Sequence, residues 1–146
     1  MKLKMCILAM GFWTCTNTVL GQERERMPVE EVREIIQLAI DLPELQEYYH
    51  IKTDSSRIPL IIAEYGLINS KNMKGINKFG NEIIILNESE IRGKHLKNYL
   101  QIGDWTYVGN TLRLQLSYTV EGIIINYMFV RKDEKWIVEN SLIMER

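Results

Sequence analysis

The sequence predicts an α+β fold: an N-terminal helix packed on a curved antiparallel sheet of about five to six strands, ending in a four-strand meander. Three observations carry this expectation. Apolar residues recur at helical spacing between Val29 and Ile40. Two separated, short, β-branched runs follow, Ile58 to Tyr65 and Glu82 to Leu86. From Leu100 onward, runs of strand length are joined by tight-turn signals, with a clean apolar and polar alternation in the second of them.

Pro28 suits the first helical position, and Val29, Val32, Ile36, Ala39 and Ile40 form one stripe with Glu30, Glu31, Arg33, Glu34 and Gln37 between them. The acidic residues crowd the end where the helix dipole favours them. Pro43 breaks the helix after Asp41, and Glu44 to Tyr49 is expected to form a second short helix. Pro59 near the start of the first strand points to a sheet edge. The stretch from Gly66 to Gly80, rich in glycine, asparagine and lysine, is expected to be a loop or short helix. Asn87 with Glu90 three residues on predicts a capped helical turn closed by Gly93.

The last third is the most regular. Leu100 to Val108 runs into Gly109-Asn110, a hairpin signal. In the next run Leu112, Leu114, Leu116 and Tyr118 face one way, and Arg113, Gln115 and Ser117 the other. Glu121-Gly122 marks another turn. Ile123 to Val130 is apolar on both sides, as a central strand would be, and Lys132-Asp133-Glu134 turns into a final strand from Lys135 to Ile143. On the second side of these strands the pattern places Ile124 and Met128, with Ile137 and Ile143 doing likewise on the last strand.

The chain has 146 residues, 46% hydrophobic and 25% charged, which suits one globular body. Its net charge is −1, from 18 basic and 19 acidic residues, so no electrostatic footprint for nucleic acid is present. Residues 1–21 have the order of a secretory signal peptide. Lys2 and Lys4 precede an uncharged run from Met5 to Trp13, and Val19-Leu20-Gly21 offers a cleavage site before Gln22. That run is too short to span a bilayer. Residues 22–27 are expected to be a flexible lead-in, and residues 28–146 a single domain. Such a chain is exported, periplasmic or extracellular, with no stable membrane span once the leader is removed. Lipid anchoring at Cys15 fits poorly, because Phe12-Trp13-Thr14 is bulky where lipidation wants small residues. Both cysteines, Cys6 and Cys15, would leave with the leader.

The segment from Tyr127 to Val138, with its charged turn at Lys132-Asp133-Glu134 and a strand begun by Lys135-Trp136, resembles the nuclear-transport-factor-two-like and cystatin-like superfamily of cone-shaped domains. It also looks like small secreted bacterial proteins in which Arg57-Ile58-Pro59-Leu60 and Glu121-Gly122 have counterparts. The resemblance spans about residues 28–146. It implies a helix on a curved sheet, and it leaves activity open, because the superfamily includes enzymes, carriers and adaptors.

Chemistry is sparse. Two histidines, His50 and His95, share no ligand spacing, and with two cysteines they are too few for a structural zinc site. The serines lack a nucleophile elbow, and Gly75 and Gly80 are isolated rather than part of a phosphate loop. No catalytic residue, metal or cofactor is therefore assigned. Asp104 beside Trp105 is read as an outward carboxylate. Arg57 and Arg113 are candidate anion contacts, more simply solvated. Three functions stay open. The first is a non-catalytic exported domain for protein contact or homodimer formation. The second is a small-ligand carrier with Trp105, Tyr107 and Tyr118 around a pocket on the concave sheet face. The third is an enzyme of the cone-shaped superfamily.

Overall fold

A computed structural model describes residues 26–146; the expected leader over residues 1–21 lies outside the described residues. The body is α+β, with a curved, open, mostly antiparallel sheet of six strands and few helices. Among the described residues no helix is long and apolar enough to cross a membrane.

Helix α1 spans Val29–Ile40. Pro28 stands just outside it as the N-cap, where its missing N–H costs nothing, and its carbonyl accepts from the amides of Glu31 and Val32, both at 3.1 Å. Val32, Ile35, Ile36, Ala39 and Ile40 are buried along one stripe. The helix ends at Asp41, and the expected second helix is a 3₁₀ segment, Pro43–Tyr49. Two phenols close the last turn of α1. Tyr49 donates to the carbonyl of Ile40 at 3.0 Å, and Tyr127, from the sheet, donates to that of Ala39 at 2.9 Å. The Ala39 carbonyl also accepts from the Leu42 amide at 3.4 Å and the Ile40 carbonyl from Gln46 Nε2 at 3.2 Å, so the phenols complete the satisfaction of the helix end.

Strand β1 is Ile61–Ala63, shorter than the expected run. Pro59 does not mark an edge. The strand starts beyond it, after a cis Ile58–Pro59 bond, and β1 lies inside the sheet. Residues between β1 and the next large strand form turns and a small hairpin of β2 (Asn77–Lys78) and β3 (Asn81–Glu82). The expected strand Glu82–Leu86 is thus divided: Ile83 bends inward, its amide bonded to the carbonyl of Ile76 at 3.0 Å, and β4 is Ile84–Leu86. β1 runs parallel to β4 on one side and to β5 on the other, so the sheet is not wholly antiparallel. The long excursion between β1 and β4 is what lets the chain return in the same direction.

Helix α2, Glu88–Gly93, opens with a full capping box. Asn87 Oδ1 accepts from the amide of Glu90 at 2.9 Å, and Glu90 Oε2 accepts from the amide of Asn87 at 2.9 Å. Asn87→Ala is expected to cost about 1 kcal/mol of unfolding free energy, measured by urea titration, because the Glu90 amide loses its side-chain acceptor at the helix start.

The remaining strands are β5 (Leu100–Val108), β6 (Thr111–Tyr118), β7 (Ile123–Lys132) and β8 (Lys135–Glu145), each antiparallel to the next. The sheet order is β4-β1-β5-β6-β7-β8, leaving β4 and β8 as edges. Asp133 and Glu134 both have positive φ, 49° and 63°, as a two-residue hairpin turn requires.

Burial separates the two faces. Leu112, Leu114, Leu116 and Tyr118 on β6, and Ile123, Ile125, Tyr127 and Phe129 on β7, are buried in the cluster that also holds the stripe of α1. Trp136 fastens that helix to the sheet edge. Its indole Nε1 donates to Glu31 at 2.7 Å and its amide to Glu34 at 3.1 Å, while Arg131 pairs with Glu31 at 3.2 Å. The opposite, open face carries the alternate residues of these strands.

Candidate functional site

Two irregularities determine what the open face displays. The first is a bulge in β5 between Ile102 and Asp104, at Gly103. It sets Asp104 opposite Gln115, Trp105 opposite Leu114 and Tyr107 opposite Leu112. Residues directly opposite share a face, so Asp104 is on the open side and both aromatics are on the core side. A Cβ at Gly103 would stand 2.6 Å from Gln115 Oε1, so the glycine leaves room for that side chain to lie along the sheet. The second is a bulge in β8, where Phe129 faces Val138, Met128 faces Asn140, and Glu139 is left without an opposite residue. The extra residue reverses the alternation. Ile137 stays on the open face, but Ile143 faces Ile125 and packs against the core, contrary to the expectation from simple period-two counting.

The open face of β5–β8 therefore presents two rows. Asp104, Gln115, Asn126 and Leu142 lie directly opposite one another, and Thr106, Arg113, Met128 and Asn140 form the next row. All of these but Thr106 line a shallow groove of about 400 Å³. Gln115 Nε2 donates to Asn126 Oδ1 at 2.9 Å, which fixes two amides across β6 and β7. Asp104 accepts from the Thr106 hydroxyl at 3.1 Å through Oδ1. Among the described residues the Arg113 guanidinium has no ion pair and no hydrogen bond, and Asp104 has no ion pair. Apolar side chains flank this polar centre. Leu142 is 57% exposed, and Ile137, Met144 and Met128 are exposed beside it.

The residues expected around a ligand lie elsewhere. Tyr118 is completely buried, meets Tyr49 edge-on at 5.6 Å, and donates to Asn98 Oδ1 at 2.7 Å. Trp105 and Tyr107 are half-buried against the core, and Tyr107 meets the Trp136 ring at 6.0 Å. None of the three lines the groove.

The titratable groups form a separate cluster at the β6–β7 turn. Glu121 accepts from Arg57 Nη1 and lies 3.4 Å from His50 Nε2, while Arg57 Nε donates to Asp54 at 3.2 Å. Hydrogen bonds from Ser56 and Arg57 hold the Asp54 carboxyl below its ordinary value. This cluster ties the segment after the 3₁₀ helix to the sheet and consumes the Arg57 charge. His95 is exposed, next to α2 rather than to this cluster. Among the described residues no group of three or more metal-ligating side chains is present.

The sequence singled out Arg113, Met128 and Ile137 on this face. It missed the Gln115–Asn126 amide pair and Leu142. The legible signal was Gly103, a glycine inside a strand pattern, which marks a bulge. No protein-family model, curated protein or solved structure matches the chain.

Proposed function

We propose that this chain is an exported, non-catalytic interaction domain whose contact surface is the open face of β5–β8. The observation that carries this reading is the exposed apolar strip of Met128, Ile137, Leu142 and Met144 beside a groove with fixed amides. Apolar surface left in water forgoes about 25 cal/mol for each Å² that a partner could cover. The apolar strip offers area to bury, and the polar groove beside it offers fixed hydrogen-bonding groups and charges, which together suit a contact surface. An α+β body with a curved, open, mostly antiparallel sheet supports the reading, because such a sheet can bury one side and offer the other to a partner. Export is supported by the charge, apolar and small-residue order of residues 1–21.

A photo-crosslinking amino acid placed at Leu142 in the native cells tests this. Irradiation is expected to give a covalent protein adduct at Leu142 and none at Lys52, which lies in the exposed turn before the Arg57 cluster. Mass spectrometry of the adduct is expected to find the chain beginning at Gln22. Equal labelling at both positions, or none at Leu142, would refute the contact surface.

A further inference from the structure

We infer that the partner on the open face is a second copy of this chain, docked face to face about a two-fold axis lying between the two sheets, with Arg113 of each copy on the partner's Asp104. This rests on the reading of the open face as a contact surface and names its occupant. The charge pattern is the first ground. The groove carries one cation and one anion that, among the described residues, have no ion pair. A foreign partner must supply one charge of each sign at the right separation, whereas a second copy supplies both by symmetry. In such an isologous contact, if one residue meets a second, the second meets the first.

Geometry gives an independent ground. Asp104 and Arg113 stand on neighbouring strands in adjacent rows. Strands are about 4.8 Å apart, and alternate residues along a strand about 6.8 Å. The axis that exchanges the two charges bisects the line between them and crosses the sheet obliquely. On that lattice it passes close to Asn126 on β7 and leaves across β8 between Leu142 and Met144. Those two apolar side chains then meet the same pair of the partner within a few ångströms of the axis. The charges were not used to select Leu142, yet the axis they define runs beside the most exposed apolar side chain of β8. The resulting arrangement has an apolar contact at one end and two charge pairs at the other.

The footprint is small. Four strands cover about 15 Å by about 25 Å before side-chain relief, roughly half of the ~800 Å² per partner that a standard stable interface buries, so the contact belongs with the small, transient ones. A reversible dimer is expected, with dissociation in the micromolar range and weakening as salt rises.

Sedimentation velocity over a concentration series, on the purified protein, tests the inference. Arg113→Asp and Asp104→Arg are each expected to raise the dissociation constant at least about tenfold, since each sets like charges against one another twice per dimer. The double exchange, Arg113→Asp with Asp104→Arg, is expected to return it to within about threefold of the starting value. Circular dichroism melts of all three keep folding and association distinct. A monomer at every concentration overturns the second-copy inference. So does a dimer indifferent to the single exchanges, or one that the double exchange fails to rescue. If the Leu142 adduct then contains a different protein, the contact surface stands and only the occupant is wrong. If no adduct forms at Leu142, both fall.

Discussion

Phe129→Ala is expected to lower the unfolding free energy by about 3–5 kcal/mol, measured by urea denaturation with an unchanged slope. Phe129 has no exposed surface. It sits on β7 between Leu112 of β6 and Val138 of β8, and its ring stacks on Tyr127 at 5.5 Å and 17°. The opposing residues belong to the two strands hydrogen-bonded to β7, so the walls of the resulting cavity cannot close over it. That fixes the expected cost near the upper end for a large-to-small change. Met128→Ala is the matched control, since that side chain is on the open face. Measured at low protein concentration, it is expected to change stability by less than about 0.5 kcal/mol. A loss below about 1.5 kcal/mol for Phe129→Ala would show that the core collapses around the gap and is less rigid than its packing implies.

Alkaline pH is expected to unfold the protein steeply. Burial raises the phenols of Tyr49, Tyr127 and Tyr118 above the ordinary tyrosine value. Tyr49 is pushed further by its neighbours Tyr127, Tyr118 and Asp41, and Tyr127 by Glu44. In Tyr118 the nearby Arg57 opposes the effect of burial, so its contribution is the smallest. The folded chain therefore keeps protons that the unfolded chain releases above about pH 10. The stabilisation is complete below that pH and is lost as pH rises toward the raised folded values. Each phenol removes about 1.4 kcal/mol per pH unit in that window, about 3–4 kcal/mol per unit for the three. The hydroxyls of Tyr49 and Tyr127 donate to carbonyls in the last turn of α1, where a phenolate would face the negative end of the helix dipole. Urea midpoints between pH 8 and pH 11.5 measure the slope. The double change Tyr49→Phe with Tyr127→Phe is expected to remove about two thirds of it. A midpoint that stays level from pH 10 to pH 11.5 would show that these phenols are not enclosed.

Much of the fold was legible because its signals are local. The stripe of α1, the alternation of Leu112 to Tyr118, the turn at Asp133-Glu134 and the box of Asn87 with Glu90 each involve residues a few positions apart. The strand around Pro59 was misplaced for the opposite reason. Whether it lies at an edge or inside depends on where Ile84–Leu86 returns, about twenty residues later, and local composition carries no record of that return. The face of Ile143 was misassigned because period-two counting assumes a regular ladder, and one unpaired residue at Glu139 reverses it. Trp105, Tyr107 and Tyr118 were read as ligand aromatics from their type. The β5 bulge puts Trp105 and Tyr107 on the core side, the side the alternation of β6 already gave to Tyr118, and away from the open-face groove.

By itself, the sequence determined that the described body is a helix-bearing sheet whose strands alternate between greasy and polar sides, because side-chain period and turn chemistry act over a few residues. Only the tertiary structure decided which side stays open and what stands on it. Asp104, Arg113, Gln115, Asn126 and Leu142 come from four strands, and their assembly into one groove follows from strand order, register and two bulges. Those quantities are set by the packing of the whole core against α1, a balance of contacts between residues distant in the chain, which no short window of sequence encodes.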